Sequence, residues 1–81
     1  MSRLGFLVLS ILCSNEADSK LNAMSVQEIK EAESLEYEID TFYRQLKKFV
    51  LLNYVGQGVK DGRANTYYIT QKGIESLEEA K

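Results

Sequence analysis

A chain of 81 residues with 44% hydrophobic side chains, among them five Tyr and three Phe, has the apolar content of a folded domain and too much for a disordered one. Histidine is absent and Cys13 is the only cysteine, which excludes an intramolecular disulfide, a Cys/His zinc site and Ser-His or Cys-His catalysis. The net charge of −2 is mildly acidic, and the length points to one domain over residues 1–81.

The N-terminal run RLGFLVLSILCS is too short to cross a bilayer, which takes roughly 20 apolar residues. It also lacks a small-x-small cleavage site, so it reads as a buried first helix over residues 2–14 of a cytoplasmic protein. Leu4, Leu7, Val8, Ile11 and Leu12 follow the helical i, i+3, i+4, i+7 spacing. Phe6 and Leu9 fall outside that stripe, so the helix is apolar nearly all round, and either it lies deep in the fold or its second face meets another subunit. Cys13 is expected to be a small buried apolar residue.

Residues 15–24 are small and polar and read as a loop ending in a short extended piece at Leu21 to Met24. In MSVQEI, Ser25 and Glu28 have the spacing of a capping box, with Met24 and Ile29 as its hydrophobic staple, so a short second helix starts near Val26. Ser34 can cap a third helix over residues 35–52, with Leu35, Ile39, Phe42, Leu46, Phe49 and Val50 on its core side. A short helix, a turn and a longer helix form a helix-turn-helix candidate.

After Asn53 the period changes. Asp61-Gly62 predicts a two-residue hairpin turn joining strands 54–60 and 63–70, with Lys60 facing Arg63, and Gly56 and Gly58 opposite Tyr67 and Asn65. Thr70 then caps a short C-terminal helix carrying Ile74 and Leu77.

Charge is unevenly distributed along the chain. Residues 1–40 hold three basic groups against eight acids, whereas residues 41–72 hold Arg44, Lys47, Lys48, Lys60, Arg63 and Lys72 against Asp61 alone. The middle of the chain is therefore at +5 and the first half at −5, which places an electropositive surface on one part of the molecule. At 100° per residue, Tyr37, Thr41, Arg44 and Lys48 form a stripe opposite the core face of the third helix, bordered by Asp40, Gln45 and Lys47. Guanidinium, ammonium, hydroxyl and amide groups are the types that contact phosphates and base edges in a major groove. Lys60 and Arg63 project from the hairpin tip with Asn65 and Thr66 behind them, a second basic point suited to phosphate or minor-groove contact. Tyr43 stands between the stripe and the edge of the core.

The order helix, short strand, helix, turn, helix, hairpin, helix resembles a winged helix-turn-helix domain. DTFYRQLKKFVLLNYV followed by GRANTYYITQKGIESL is similar to the segment shared by PadR-like and MarR-like bacterial regulators. Thr41, Phe42, Tyr43 and Arg44 match the start of that segment's recognition helix; Tyr67, Ile69, Thr70, Gly73 and Leu77 match its closing Tyr-x-Leu-Thr-x-x-Gly and Leu. Asn53 stands where a Gly usually ends the recognition helix, and Asn also tolerates a left-handed cap. The similarity covers roughly residues 24–78.

The resemblance implies an α+β fold with a three-helix core, a β-hairpin wing and a short C-terminal helix. It also implies a small non-enzymatic protein that binds double-stranded DNA sequence-specifically without metal or cofactor; one module this small reads few bases, so a homodimer on two half-sites is expected. The expected contacts are Tyr37, Thr41, Tyr43, Arg44, Gln45, Lys47 and Lys48 on the recognition helix and Lys60, Arg63, Asn65 and Thr66 on the wing. A transcriptional regulator of bacterial, phage or plasmid type is the first reading. An accessory factor in plasmid replication, partition or conjugative transfer is the second. A third uses the winged helix for protein contact through the acidic surface of residues 16–40.

Overall fold

The computed structural model describes residues 1–32 and 36–81. The elements run α1 (Arg3–Ser14), β1 (Met24–Ser25), α2 (Val26–Ala32), α3 (Ile39–Leu51), β2 (Val55–Gln57), β3 (Thr66–Ile69) and α4 (Gln71–Ala80). The three strands form one antiparallel sheet in the order β1-β3-β2. This is an α+β winged helix: α2 and α3 are the helix-turn-helix, and β2 and β3 are the stem of the wing.

Side-chain caps set most of the boundaries. Ser2 accepts from the Gly5 amide (3.0 Å) and starts α1. The capping box at α2 forms in full, the Glu28 amide donating to Ser25 Oγ (3.2 Å) and the Ser25 amide to Glu28 Oε1 (3.0 Å). Asn53 ends α3 in the left-handed region, with φ of 64°. Around it the Tyr54 amide donates to the Phe49 carbonyl (2.9 Å) and the Asn53 amide to the Val50 carbonyl (3.1 Å). These two bonds make a Schellman motif, and the Phe49 and Tyr54 rings, 5.7 Å apart, supply its apolar contact.

The core is one cluster drawn from every layer: Val8, Leu9, Ile11 and Leu12 from α1, Ile29 from α2, Phe42, Leu46 and Phe49 from α3, Val55, Tyr67 and Ile69 from the sheet, and Leu77 from α4. Two expectations for α1 are corrected here. Leu9 is fully buried while Leu7 is only half-buried, so the inward face is rotated from the expected stripe; a helix apolar on both sides has no unique period. Cys13 is exposed, in the last turn of α1 beside the exposed Ser14.

The third helix also starts later than its apolar spacing implies. Ser34 and Leu35 lie outside the described residues, Glu38 is the N-cap, and Tyr37 precedes the helix. Ile39, expected in the core, is 38% exposed at the first helical position.

The motif Tyr67, Ile69, Thr70, Gly73, Leu77 acquires a physical meaning at the junction of sheet and α4. Thr70 Oγ1 accepts from the Gly73 amide (3.0 Å) as the cap of α4 and donates to the Asn53 carbonyl (2.7 Å), tying α4 to the end of α3. The Thr70 amide donates to the Tyr54 carbonyl (3.0 Å), which fixes that carbonyl against the α carbon of Gly73. A Cβ at position 73 would collide with the Tyr54 carbonyl oxygen and come within 2.8 Å of Ile69 Cγ1. Gly73→Ala should therefore cost about 1–3 kcal/mol through overpacking, read as a lowered denaturation midpoint with an unchanged m-value.

Candidate nucleic-acid interface

The wing turns one residue later than Asp-Gly implies. Asp61 and Ala64 exchange both backbone hydrogen bonds (3.0 Å each), so the two-residue loop is Gly62-Arg63. Gly62 has φ of 64° and Arg63 does not take positive φ, which is the pattern of a turn with glycine at its first central position. In the stem, Gln57 faces Tyr67 and Gly56 faces Tyr68, so the expected pairing of Gly56 with Tyr67 and Gly58 with Asn65 is off by one. Stem and tip are out of step by one residue, which leaves a bulge near Val59 and Lys60. There the Val59 amide turns away from the hairpin to the Lys20 carbonyl (3.1 Å).

The register decides which wing residues are available. Thr66 is buried and its hydroxyl donates to the Val59 carbonyl (2.6 Å), so its side chain holds the bulge in shape. The expected contact through Thr66 is thus unsupported by the geometry. Lys60 and Arg63 are exposed, and Asn65 is half-buried.

On α3, Tyr43, Arg44, Lys47 and Lys48 are exposed, and Thr41 and Gln45 are half-buried beside them. Arg44 Nε reaches the Asp40 carbonyl one turn back (3.4 Å). Tyr37 is displaced from the stripe because it lies before the helix, and its ring meets Phe42 edge-on at 5.9 Å. Among the described residues the one ion pair recorded is Lys81 with Glu78 (3.7 Å), so Arg44, Lys47, Lys48, Lys60 and Arg63 are not neutralised by a described carboxylate.

Between α3 and the wing runs a cleft in two parts. One, of about 300 Å³, is lined by Val26, Ile39, Tyr43, Ala64, Asn65 and Tyr67, with Ser25 and Gln27 at its end. The other, of about 220 Å³, is lined by Tyr43, Lys47, Val50, Leu51, Gln57 and Tyr67. Tyr43 and Tyr67 border both parts. Gln57, Ile39 and Leu51 were not among the expected site residues; a hairpin register with Gln57 opposite Tyr67 would have drawn attention to the first of them.

Tyr67 is 2% exposed, and burial pushes its hydroxyl above the ordinary tyrosine value of 10.0. Neighbouring Tyr43 adds to the rise, while side-chain hydrogen bonds with Asn65 and Gln57 oppose it. Because the folded state favours the neutral phenol, this stabilisation is complete below about pH 10 and is lost as pH rises past it toward the raised value. The melting temperature should fall more steeply above about pH 10 for wild type than for Tyr67→Phe.

The fold and this site define a winged helix-turn-helix domain whose exposed helix face and wing carry the positive charge. No protein-family model matches the chain. It is 33% identical over 73 residues to the DNA-binding protein TubR of a Clostridium botulinum C phage, covering 90% of this chain and 88% of that one. The chain belongs to the TubR family. Among solved structures it is similar to TubR from Bacillus megaterium pBM400, with a TM-score of 0.83, 25% identity, and 99% and 86% of the two chains covered. The DNA-binding TubR fragment from Clostridium botulinum superposes with a TM-score of 0.76 at 30% identity, over 100% and 98% of the chains. Escherichia coli MarR shares the fold at 22% identity and a TM-score of 0.75, the chain spanning 54% of it.

Proposed function

We propose that this chain acts as one winged-helix domain over residues 1–81 and binds double-stranded DNA sequence-specifically, as a small regulator of phage or plasmid type. In this reading α3 enters the major groove with Thr41, Tyr43, Arg44, Gln45, Lys47 and Lys48, while Lys60, Arg63 and Asn65 follow the adjacent backbone or minor groove. Tyr37 acts indirectly, by bracing Phe42 at the start of the helix. The observation that carries the reading is the set of five exposed cations on α3 and the wing, in a chain whose overall charge is negative. Its relatives are DNA-binding proteins by name, and like them this chain works by binding and not by catalysis.

One module this small reads few base pairs, so two copies are expected to bind two half-sites. A cleft of about 550 Å³ lined by Met1, Ser2, Arg3, Phe6, Leu7 and Ala80 supports a dimer surface on α1 and α4. Selection of bound fragments from random duplex DNA tests both points. A preferred palindrome supports a symmetric dimer, and failure to enrich any sequence overturns the specific reading.

A second job is favoured by where the relatives come from, a phage and pBM400: an accessory DNA-binding factor in plasmid partition. Mapping the bound sites on the parent replicon separates the two. Sites overlapping a promoter support a repressor, and a cluster whose deletion destabilises inheritance supports partition.

A further inference from the structure

The floor of the cleft between α3 and the wing holds polar groups that no cation explains. Gln57 is exposed and stands directly across the strand pair from Tyr67. Asn65, just before β3, lines the same cleft as Tyr67. The Tyr67 ring is in the core and borders both parts of the cleft, beside Asn65 in one and Gln57 in the other. A side-chain amide carries two N–H groups and a carbonyl, so one turned toward the Tyr67 hydroxyl keeps a second N–H and the carbonyl for an outside partner.

The walls of the cleft say what that partner is. Lys47 lines the cleft beside Gln57, Arg44 and Lys48 lie near it in sequence on α3, and Lys60 and Arg63 lie farther along the hairpin toward the wing tip. Among the described residues that line the cleft there is one cation, Lys47, and no carboxylate. A cleft with a lysine on one side, apolar patches at Ile39, Val50 and Leu51, and the Gln57 amide beside them fits one sugar–phosphate strand, its deoxyriboses against the apolar patches.

We infer that Gln57 is a further DNA contact, made from the floor of this cleft to the strand running between helix and wing, and that Tyr67 is the positioning residue that aims it. The inference rests on the DNA-binding reading above. A neutral amide displaces no counterion, so its contribution is the same at every salt concentration, unlike that of Lys47.

The test is a titration of wild type and variants on a selected duplex between about 50 and 200 mM salt, with thermal melts confirming that each variant folds. Gln57→Ala should weaken binding roughly fivefold throughout, the loss of one hydrogen bond, with the slope of log K against log salt unchanged. Gln57→Glu should lose more, since it places an anion beside phosphate. Lys47→Ala should instead reduce the slope by about one. Tyr67→Phe keeps the ring and should weaken binding by a similar factor, most of which disappears in the Gln57→Ala background. Wild-type affinity in both Gln57 variants overturns the contact, and full additivity of Tyr67→Phe with Gln57→Ala overturns the positioning role. A wild type with no affinity for any duplex at low salt overturns the DNA-binding reading, and this inference with it.

Discussion

Replacing Phe42 with alanine should remove about 3–5 kcal/mol of stability, the range for deleting a fully buried aromatic ring. Phe42 is 0% exposed, sits one turn inside the start of α3, and is met edge-on by Tyr37. A protein of this size has only about 4–12 kcal/mol in total, so the variant should be largely unfolded at 37 °C. Chemical denaturation gives the loss directly. Tyr37→Ala should cost less, about 1 kcal/mol, because only the edge contact and a half-exposed ring are lost. This pair distinguishes a Tyr37 that braces the helix from one that touches DNA: bracing predicts a stability change first and an affinity change only as its consequence.

Reversing both wing cations, Lys60→Glu with Arg63→Glu, should weaken binding to all duplexes by on the order of 100-fold at about 0.1 M salt. Each phosphate contact contributes close to 0.9 of a log unit at that ionic strength, and two new anions at the tip add repulsion. Both side chains are exposed and the turn is set by backbone bonds between Asp61 and Ala64, so the melting temperature should hardly move. The preference for one sequence over another should survive, since the base contacts are assigned to α3, whose cations also meet phosphates, and the wing cations to the backbone alone. Comparing selected and scrambled duplexes measures this: a variant that binds both more weakly by the same factor fits, and one that loses only the selected duplex would move sequence reading onto the wing.

Local rules made most of the fold legible. The capping box at Ser25 and Glu28, the Thr70 cap and the left-handed Asn53 each follow from a few neighbouring residues, and each forms. What failed were choices between near-equal local options. In α1 the apolar residues surround the helix, so only the rest of the fold could decide that Leu9 and not Leu7 faces inward. In the wing, Asp-Gly and Gly-Arg are both acceptable two-residue turns, and the bulge held by Thr66 and Lys20 selects the second. That one-residue slip matters for the site because alternate residues of a strand face opposite ways. It withdraws Thr66 from the surface and brings Gln57 to the cleft.

The candidate site was legible as charge sooner than as geometry. The excess of six cations over one anion in residues 41–72 needs no structure to be seen, and α3 and the wing carry five of the six. Tyr37 was misplaced because helical periodicity was extended past Glu38, the residue at which α3 begins.

The central claim is that α3 and the wing together bind duplex DNA through their exposed cations. The measurement that tests it most directly is the salt dependence of duplex binding by wild type and by Arg44→Ala with Lys48→Ala. Wild type should lose affinity steeply as salt rises, and the double variant should bind more weakly with a slope reduced by about two. Equal affinity and equal slope for the two proteins would contradict it.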